Sequence, residues 1–273
     1  MTACPPSPPA DAPPLTTLLD IAAAGERLEA IAQRTGGDRM GAETARVNAI
    51  LERVQREGDR ALIALTEEFD GVRPEPLAIP EERLAEAWRT CPEPLQQALE
   101  LAHGRIEAFH RRQYPDDLEV TGPHGERLGR RWRPVERAGL YVPGGRASYP
   151  STVLMNAVPA RVAGVQRLVM VTPPGPGGEP NPTVLAAAHL AGVREVYRVG
   201  GAQAIAALAY GTETIPRVDV ISGPGNLYVT LAKKAVYGRV SIDSLAGPSE
   251  VLVIADHTAD ADQVAADLLA QAE

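Results

Sequence analysis

From Gly139 onward, short apolar runs alternate with stretches of helical pattern, and this alternation limits the possible folds more than any other feature of the chain. The apolar runs are continuous and not interleaved with polar residues, as expected for strands covered on both faces. Strands that alternate with helices indicate parallel βαβ units. The runs lie within GLYVPGG, RLVMVTPP, EVYRVGG, VDVISGPGN and VLVIAD. The pattern therefore predicts an α/β fold with a parallel sheet domain over residues 138–248.

The part of the chain before this sheet has a different pattern. Residues 18–137 are predicted to be mainly helical, and Pro80 followed by two glutamates marks one helix start. Apolar stripes at helical spacing support this prediction. They consist of Val47, Ile50, Leu51 and Val54 in one helix, and of Leu95, Leu99, Ala102, Ile106 and Phe109 in another. In the sheet domain, Pro159 is expected to kink or split the first helix.

The stretch EVTGPHGERLGRRWRPVER, near the end of the helical part, predicts a β-hairpin. Arg131 and Arg133 would share one strand face, with Trp132 on the other. This arrangement fits either a nucleic-acid patch or a solvated hairpin with Trp132 packed inward. The net charge of −8 favours the second interpretation, because nucleic-acid binders carry basic surfaces.

Composition also restricts the setting in which the chain works. Acidic charge argues against nucleic-acid and membrane partners, and no apolar run approaches the length of a membrane span. Cys4 and Cys91 lie far apart and match no metal or disulfide spacing, so a cytoplasmic location is expected. The Pro-rich residues 1–17 have no signal-peptide pattern and are expected to form a disordered or extended arm.

Loops rich in glycine follow the predicted strands, and they indicate where a ligand could bind. These loops are YVPGG, VGGAQA, ISGPGN and LAGPSE. Ligands of open α/β sheets bind where strands end and helices begin, and glycine permits close approach of the backbone. Each loop alone could be an ordinary tight turn. Four of them at one sheet edge predict a binding cleft, although none matches G-x-G-x-x-G.

Two amides and a hydroxyl occupy these loops. Gln203 and Asn226 stand at helix starts, where an amide could bind a ligand in two directions. Asn226 and Ser249 could equally cap the helices that follow them. The five histidines form no metal-binding spacing with each other or with cysteine, and no complete acid, base or nucleophile set is visible.

The loops and their flanks resemble histidinol dehydrogenase. The resembling stretches are LTEEFDG, ERAGLYVPGGRASYPSTVLMNAVPA, VGGAQAIAALAYGT, DVISGPGNLYVTLAKK, AGPSEVLVIAD and DLLAQAE. The resemblance implies a zinc-dependent homodimer with Rossmann-like domains that uses NAD to oxidise L-histidinol, by way of the aldehyde, to L-histidine. It also implies that residues 18–137 belong to another α/β domain, to which the chain returns at residues 249–273.

The resemblance assigns roles to individual residues. The NAD-contacting residues of the family correspond to Tyr141, Gln203 and Asn226, and a substrate-binding serine corresponds to Ser249. Gln271 corresponds to a glutamine that contacts both zinc and substrate. In the family a zinc-binding histidine follows three residues later, one position beyond Glu273. The remaining zinc ligands and the catalytic Glu–His pair lie further on, so residues 1–273 are expected to be an inactive fragment. Two alternatives remain, a non-catalytic nucleotide-binding module and a different NAD-dependent alcohol or aldehyde oxidiser.

Overall fold

The computed structural model describes residues 41–144, 148–245 and 251–272, together with Gly25 and Glu29. Its helices are α1 (Gly41–Glu57), α2 (Asp59–Asp70), α3 (Glu81–Thr90), α4 (Glu93–Arg111), α5 (Pro150–Val162), α6 (Pro182–Leu190), α7 (Gly201–Tyr210), α8 (Leu227–Val236) and α9 (Ala261–Ala272). Its strands are β1 (Ala78–Ile79), β2 (Leu118–Thr121), β3 (Arg127–Arg130), β4 (Arg137–Tyr141), β5 (Arg167–Thr172), β6 (Glu195–Arg198), β7 (Val220–Ser222) and β8 (Ser241–Ile242).

The main sheet has the strand order β1-β6-β5-β4-β7-β8. All neighbours in it are parallel except β1, which pairs antiparallel with β6. Between β4 and β8, helices connect the successive strands, as the alternating apolar runs predict. The predicted α/β class with a mostly parallel sheet is therefore confirmed. The predicted domain limits after residues 137 and 248 stay a prediction.

Helices cover both faces of this sheet. On one face α5 and α6 pack on β4 and β5, with α3 and α4 outside them, and Leu140 and Leu154 lie fully buried in this core. On the other face α7 contacts β4, β5 and β7, and also packs against α8 and α2. Because side chains alternate along a strand, Leu140 belongs to the first face and Tyr141 to the face of α7. This alternation directs Tyr141 toward the start of α7.

The predicted helical part is confirmed in its main features. Val47, Ile50, Leu51 and Val54 of α1 are all buried. In α4, Leu99 is buried and Leu95, Ala102 and Ile106 pack against the core, whereas Phe109 is 60% exposed. Helix α3 begins directly after Pro80. The stripe in α4 therefore stops one turn before the end of the helix.

Four local expectations need correction. The hairpin forms from β2 and β3, but its second strand ends at Arg130, so 131–133 lie beyond it and share no strand face. Trp132 is 42% exposed and stacks under the Arg130 guanidinium at 5.0 Å, so it does not pack inward. Helix α5 continues through Pro159 and is not split there, because its packing against α4, α6 and β4 offsets the cost of the proline. The expected kink stays a prediction.

The fourth correction concerns VLVIAD, for which the sequence predicts a strand. Residues 251–256 form no strand, and Leu252 and Ile254 are 74% and 90% exposed. A strand requires a hydrogen-bonded partner, and the described residues offer none at this place. No described helix is long and apolar enough to cross a membrane.

Candidate functional site

A cleft of about 450 Å³ opens where the parallel strands end. Its floor comes from the ends of β4 and β5 and from the loops that lead into α7 and α8, and its opposite side comes from α1 and α2. The lining residues from the sheet side are Tyr141, Pro143, Gly144, Pro173, Pro174, Gly201, Ala202, Gln203, Asn226 and Tyr228, and those from the helices are Arg46, Ile50, Phe69 and Asp70. Three residues predicted from sequence, Tyr141, Gln203 and Asn226, therefore border one cavity.

Tyr141 is the last residue of β4 and is 4% exposed. Its hydroxyl oxygen accepts a hydrogen bond from the backbone N–H of Gly201, at 3.2 Å. Burial raises the pKa of this phenol to about 12, with a smaller opposing effect from the Gly201 bond and a smaller raising effect from Asp70. Tyr141 therefore stays protonated at neutral pH and keeps an O–H that can donate to a ligand.

Gln203 lies in the first turn of α7 and is 1% exposed. Its side-chain oxygen Oε1 is buried and has no hydrogen-bond partner among the described residues. Gly201 lies beside it with φ of +64°, and a Cβ on Gly201 would be 2.7 Å from that oxygen. A buried carbonyl without a donor is uncommon and costly, so Oε1 is the strongest candidate in the cleft for contact with a ligand N–H.

Asn226 caps the N-terminus of α8. Its Oδ1 accepts a hydrogen bond from the backbone N–H of Val229 at 3.1 Å. The two interpretations made from sequence, helix cap and cleft residue, therefore both hold for this residue. Because Oδ1 is used for the cap, the Nδ2 group is the part of the side chain that can donate to a ligand.

The loop between β7 and α8 is braced by a buried lysine. Lys233 of α8 is 3% exposed, donates to the carbonyl of Gly223 at 3.0 Å and forms an ion pair with Asp243. Asp243 in turn accepts from the backbone N–H of Gly223 at 2.8 Å. Both backbone groups of Gly223 are thus held, three residues before Asn226. Sequence reasoning missed this brace, because a lysine in a helix ordinarily indicates a solvent-exposed face.

The side of the cleft formed by α1 and α2 was also missed as a site. Arg46, Phe69 and Asp70 line it, and partial burial raises the pKa of the Asp70 carboxyl. Phe69 and Asp70 fall within LTEEFDG, a stretch already recognised for its family resemblance. That resemblance was the available signal, since nothing in the helical pattern shows which residues adjoin the sheet.

The remaining predicted residues are not brought to this cleft by the described structure. Ser249 lies outside the described residues, together with most of the LAGPSE loop. Gln271 lies on α9, and only its backbone is described. Within the described ranges, no group of three His, Cys, Asp or Glu side chains could hold a metal ion. The described residues therefore do not by themselves fit a zinc site.

Comparison with known proteins places this cleft in a family. A family model for histidinol dehydrogenase matches residues 33–273. The chain is 68% identical over 250 residues to "Histidinol dehydrogenase" of Prochlorococcus marinus (strain MIT 9313), covering 92% of this chain and 57% of that protein. A second relative of the same name, from Parasynechococcus marenigrum, is 63% identical, with 95% and 60% covered.

A solved structure agrees with these sequence matches. It is described as histidinol dehydrogenase from Elizabethkingia anophelis and superposes with a TM-score of 0.78 at 43% identity. The superposition covers 83% of this chain and 52% of that chain. The chain thus spans somewhat over half the length of the relatives it matches, and it belongs to the histidinol dehydrogenase family.

Proposed function

We propose that the whole protein is an NAD-dependent oxidoreductase that converts L-histidinol, by way of histidinal, into L-histidine. Family membership supports this proposal, and the relatives named above carry the name of that activity. The proposal concerns the whole protein, because the chain spans 57% of the Prochlorococcus relative. A homodimer and a cytoplasmic location are part of the same proposal.

The observation that carries the cofactor assignment is that Gln203 lines the cleft while its buried Oε1 has no partner among the described residues. A dinucleotide has N–H donors in its carboxamide and in its adenine amine, and either of them could donate a hydrogen bond to Oε1 of Gln203. A cavity of about 450 Å³ lies within the size range of small-molecule sites, which suits part or most of such a ligand. When bound, NAD⁺ supplies the acceptor for the hydride that leaves the substrate carbon.

The chain's own residues bind and orient in this proposal. Tyr141 presents a neutral phenol whose position is fixed by the bond from Gly201. Asn226 donates through Nδ2 while its oxygen holds the start of α8. Ser249 and Gln271 are proposed to contact L-histidinol, and Gln271 also zinc, on the family resemblance alone. No step is derived through zinc, since the described residues do not gather its ligands.

The experiment is steady-state kinetics of the whole protein with L-histidinol and NAD⁺, followed by NADH absorbance. We expect Gln203→Ala and Asn226→Ala to raise KM for NAD⁺ by roughly tenfold, the size of one or two lost hydrogen bonds. KM for L-histidinol should change much less. Gln97→Ala, which removes an exposed amide on α4, is the matched control and should leave both constants unchanged.

Two outcomes would contradict the proposal. Binding of NAD⁺ without NADH production would favour a non-catalytic nucleotide-binding module. Unchanged NAD⁺ kinetics in both cleft variants would show that the cofactor binds elsewhere. Light scattering on a sizing column tests the homodimer.

A further inference from the structure

Arg46 is held at the edge of the cleft by two aromatic rings. Its guanidinium carbon lies 5.4 Å from the ring centre of Phe69 on α2 and 5.9 Å from that of Tyr228 on α8. Cation–π contact of this kind occupies the flat faces of the guanidinium. The N–H donors lie along its edge, so the aromatic contacts orient the group without using its hydrogen bonds.

The charge of Arg46 is also not neutralised. It makes no ion pair among the described residues, although Arg73, Arg167 and Arg198 each contact a carboxylate. Of the described residues that line the cleft, Arg46 is the only basic one and Asp70 the only acidic one. Arg46 is exposed at the edge of the cleft, and an oriented, unpaired guanidinium there is suited to an anion that can accept several hydrogen bonds, such as phosphate.

The neighbouring backbone adds to the same preference. Helix α7 begins at Gly201, α8 begins after Asn226, and both starts line the cleft. The first turn of a helix carries partial positive charge and N–H groups that favour a phosphate. Because no loop of this chain carries the G-x-G-x-x-G fingerprint, the usual glycine-rich phosphate cradle is missing from the sequence. The guanidinium of Arg46, on helix α1, would supply part of the phosphate binding that this cradle provides in other dinucleotide sites.

We propose that Arg46 binds the diphosphate of the dinucleotide in the cleft, so that helix α1 contributes directly to the cofactor site. The ligand's identity rests on the proposed function, whereas the anion contact rests on the stacked, unpaired guanidinium. Asp70 lies on the same side of the cleft, and its carboxylate can accept hydrogen bonds from the sugar hydroxyls of the dinucleotide.

The test compares ligands with and without phosphate by titration calorimetry, with adenosine measured by competition. Arg46→Met should weaken ADP-ribose roughly tenfold or more, because one or two charge-assisted hydrogen bonds are lost. Adenosine should change by less than about twofold, since it has no phosphate. Arg46→Lys keeps the charge without the planar fork and should fall between wild type and Arg46→Met. Arg56→Met, on the same helix and outside the cleft, removes an equal charge and should affect neither ligand.

Each other result decides against the inference. Equal weakening of ADP-ribose and adenosine by Arg46→Met would mean that the arginine shapes the cleft and does not bind phosphate. If Arg46→Met binds ADP-ribose as tightly as the wild type does, and the wild type binds NAD⁺, the Arg46 assignment alone is wrong. A wild-type protein that binds neither NAD⁺ nor ADP-ribose would overturn the proposed function and this inference together. Circular dichroism and the thermal midpoint of each variant show whether it is folded, and the Arg46→Lys data decide the matter if Arg46→Met is not.

Discussion

Replacing Gln203 by methionine should stabilise the ligand-free protein and weaken NAD⁺ binding at the same time. Oε1 of Gln203 is buried without a partner, and leaving such a group unsatisfied costs about 1–3 kcal/mol. Methionine has nearly the same length and helix propensity as glutamine, so the change removes the polar oxygen with little loss of packing. Imperfect fit can return up to about 1 kcal/mol of this gain. The expected net stabilisation is about 1 kcal/mol.

Thermal unfolding with and without NAD⁺ measures both effects. In a protein of this size, 1 kcal/mol raises Tm by about 2–4 °C. For wild type, NAD⁺ at about 100 times its Kd adds about 2.7 kcal/mol, and a tenfold loss of affinity reduces that increment to about 1.4 kcal/mol. The variant should therefore melt higher without ligand and gain only about half as much from it.

A matched control is available on the same helix. Leu208→Met places methionine at another fully buried position of α7, where no polar atom is removed. It should lower the free energy of unfolding slightly, by less than about 1.5 kcal/mol, and leave the NAD⁺ increment intact. A lower ligand-free Tm for Gln203→Met, combined with an unchanged NAD⁺ increment, would refute the argument that Oε1 is held for a ligand.

Three further variants test the surroundings of the cleft. Burial raises the pKa of Tyr141 to about 12, so the folded protein keeps this proton to higher pH than the unfolded chain does and loses stability between about pH 10 and 12. In denaturant titrations, Tyr141→Phe should remove about 1.4 kcal/mol of this loss per pH unit. The contribution of Tyr197, whose pKa is also about 12, should remain. Gly223→Ala should destabilise by more than about 2 kcal/mol in urea unfolding, because φ is +129° and the added Cβ would lie 2.0 Å from a backbone carbonyl oxygen; a neutral result would mean that this loop relaxes freely. Lys233→Met should raise KM for NAD⁺ more than KM for L-histidinol, because the Gly223 carbonyl loses its donor and the Asp243 carboxylate loses its cation. Equal changes in both constants would indicate a general loss of stability.

Sequence reasoning succeeded where a pattern has one physical cause. Continuous apolar runs arise when both faces of a strand are covered, and β4 and β5 are buried along nearly their whole length. Because parallel strands end at the same sheet edge, the loops after them converge, and this places Tyr141, Gln203 and Asn226 around one cleft. Gln203 and Asn226 could therefore be selected from the loop pattern, whereas Tyr141 was selected from the family resemblance.

Sequence reasoning failed where the structure of a segment depends on the element that packs or pairs with it. Strands β1 and β8 are two residues long and exist through pairing with β6 and β7, so neither has a pattern of its own. The run at 251–256 has a strong strand pattern but no partner strand among the described residues. Arg46 and Lys233 belong to the same class of failure. Each is a basic residue in an amphipathic helix, and packing makes one a cleft residue and the other a buried brace.

One residue of the cleft and one residue next to it depart from the usual rules of a stable fold. Gln203 lines the cleft and buries an oxygen without a donor among the described residues, and Gly223, three residues before Asn226, takes a backbone angle that other residues rarely adopt. The other buried positions of α7 are alanine, isoleucine and leucine, as in an ordinary core helix. Departures of this kind lower the stability of the free protein and persist when a bound ligand compensates for them. A polar oxygen that is costly in the free protein and satisfied by a bound ligand explains why Gln203→Met should stabilise the protein while weakening its ligand.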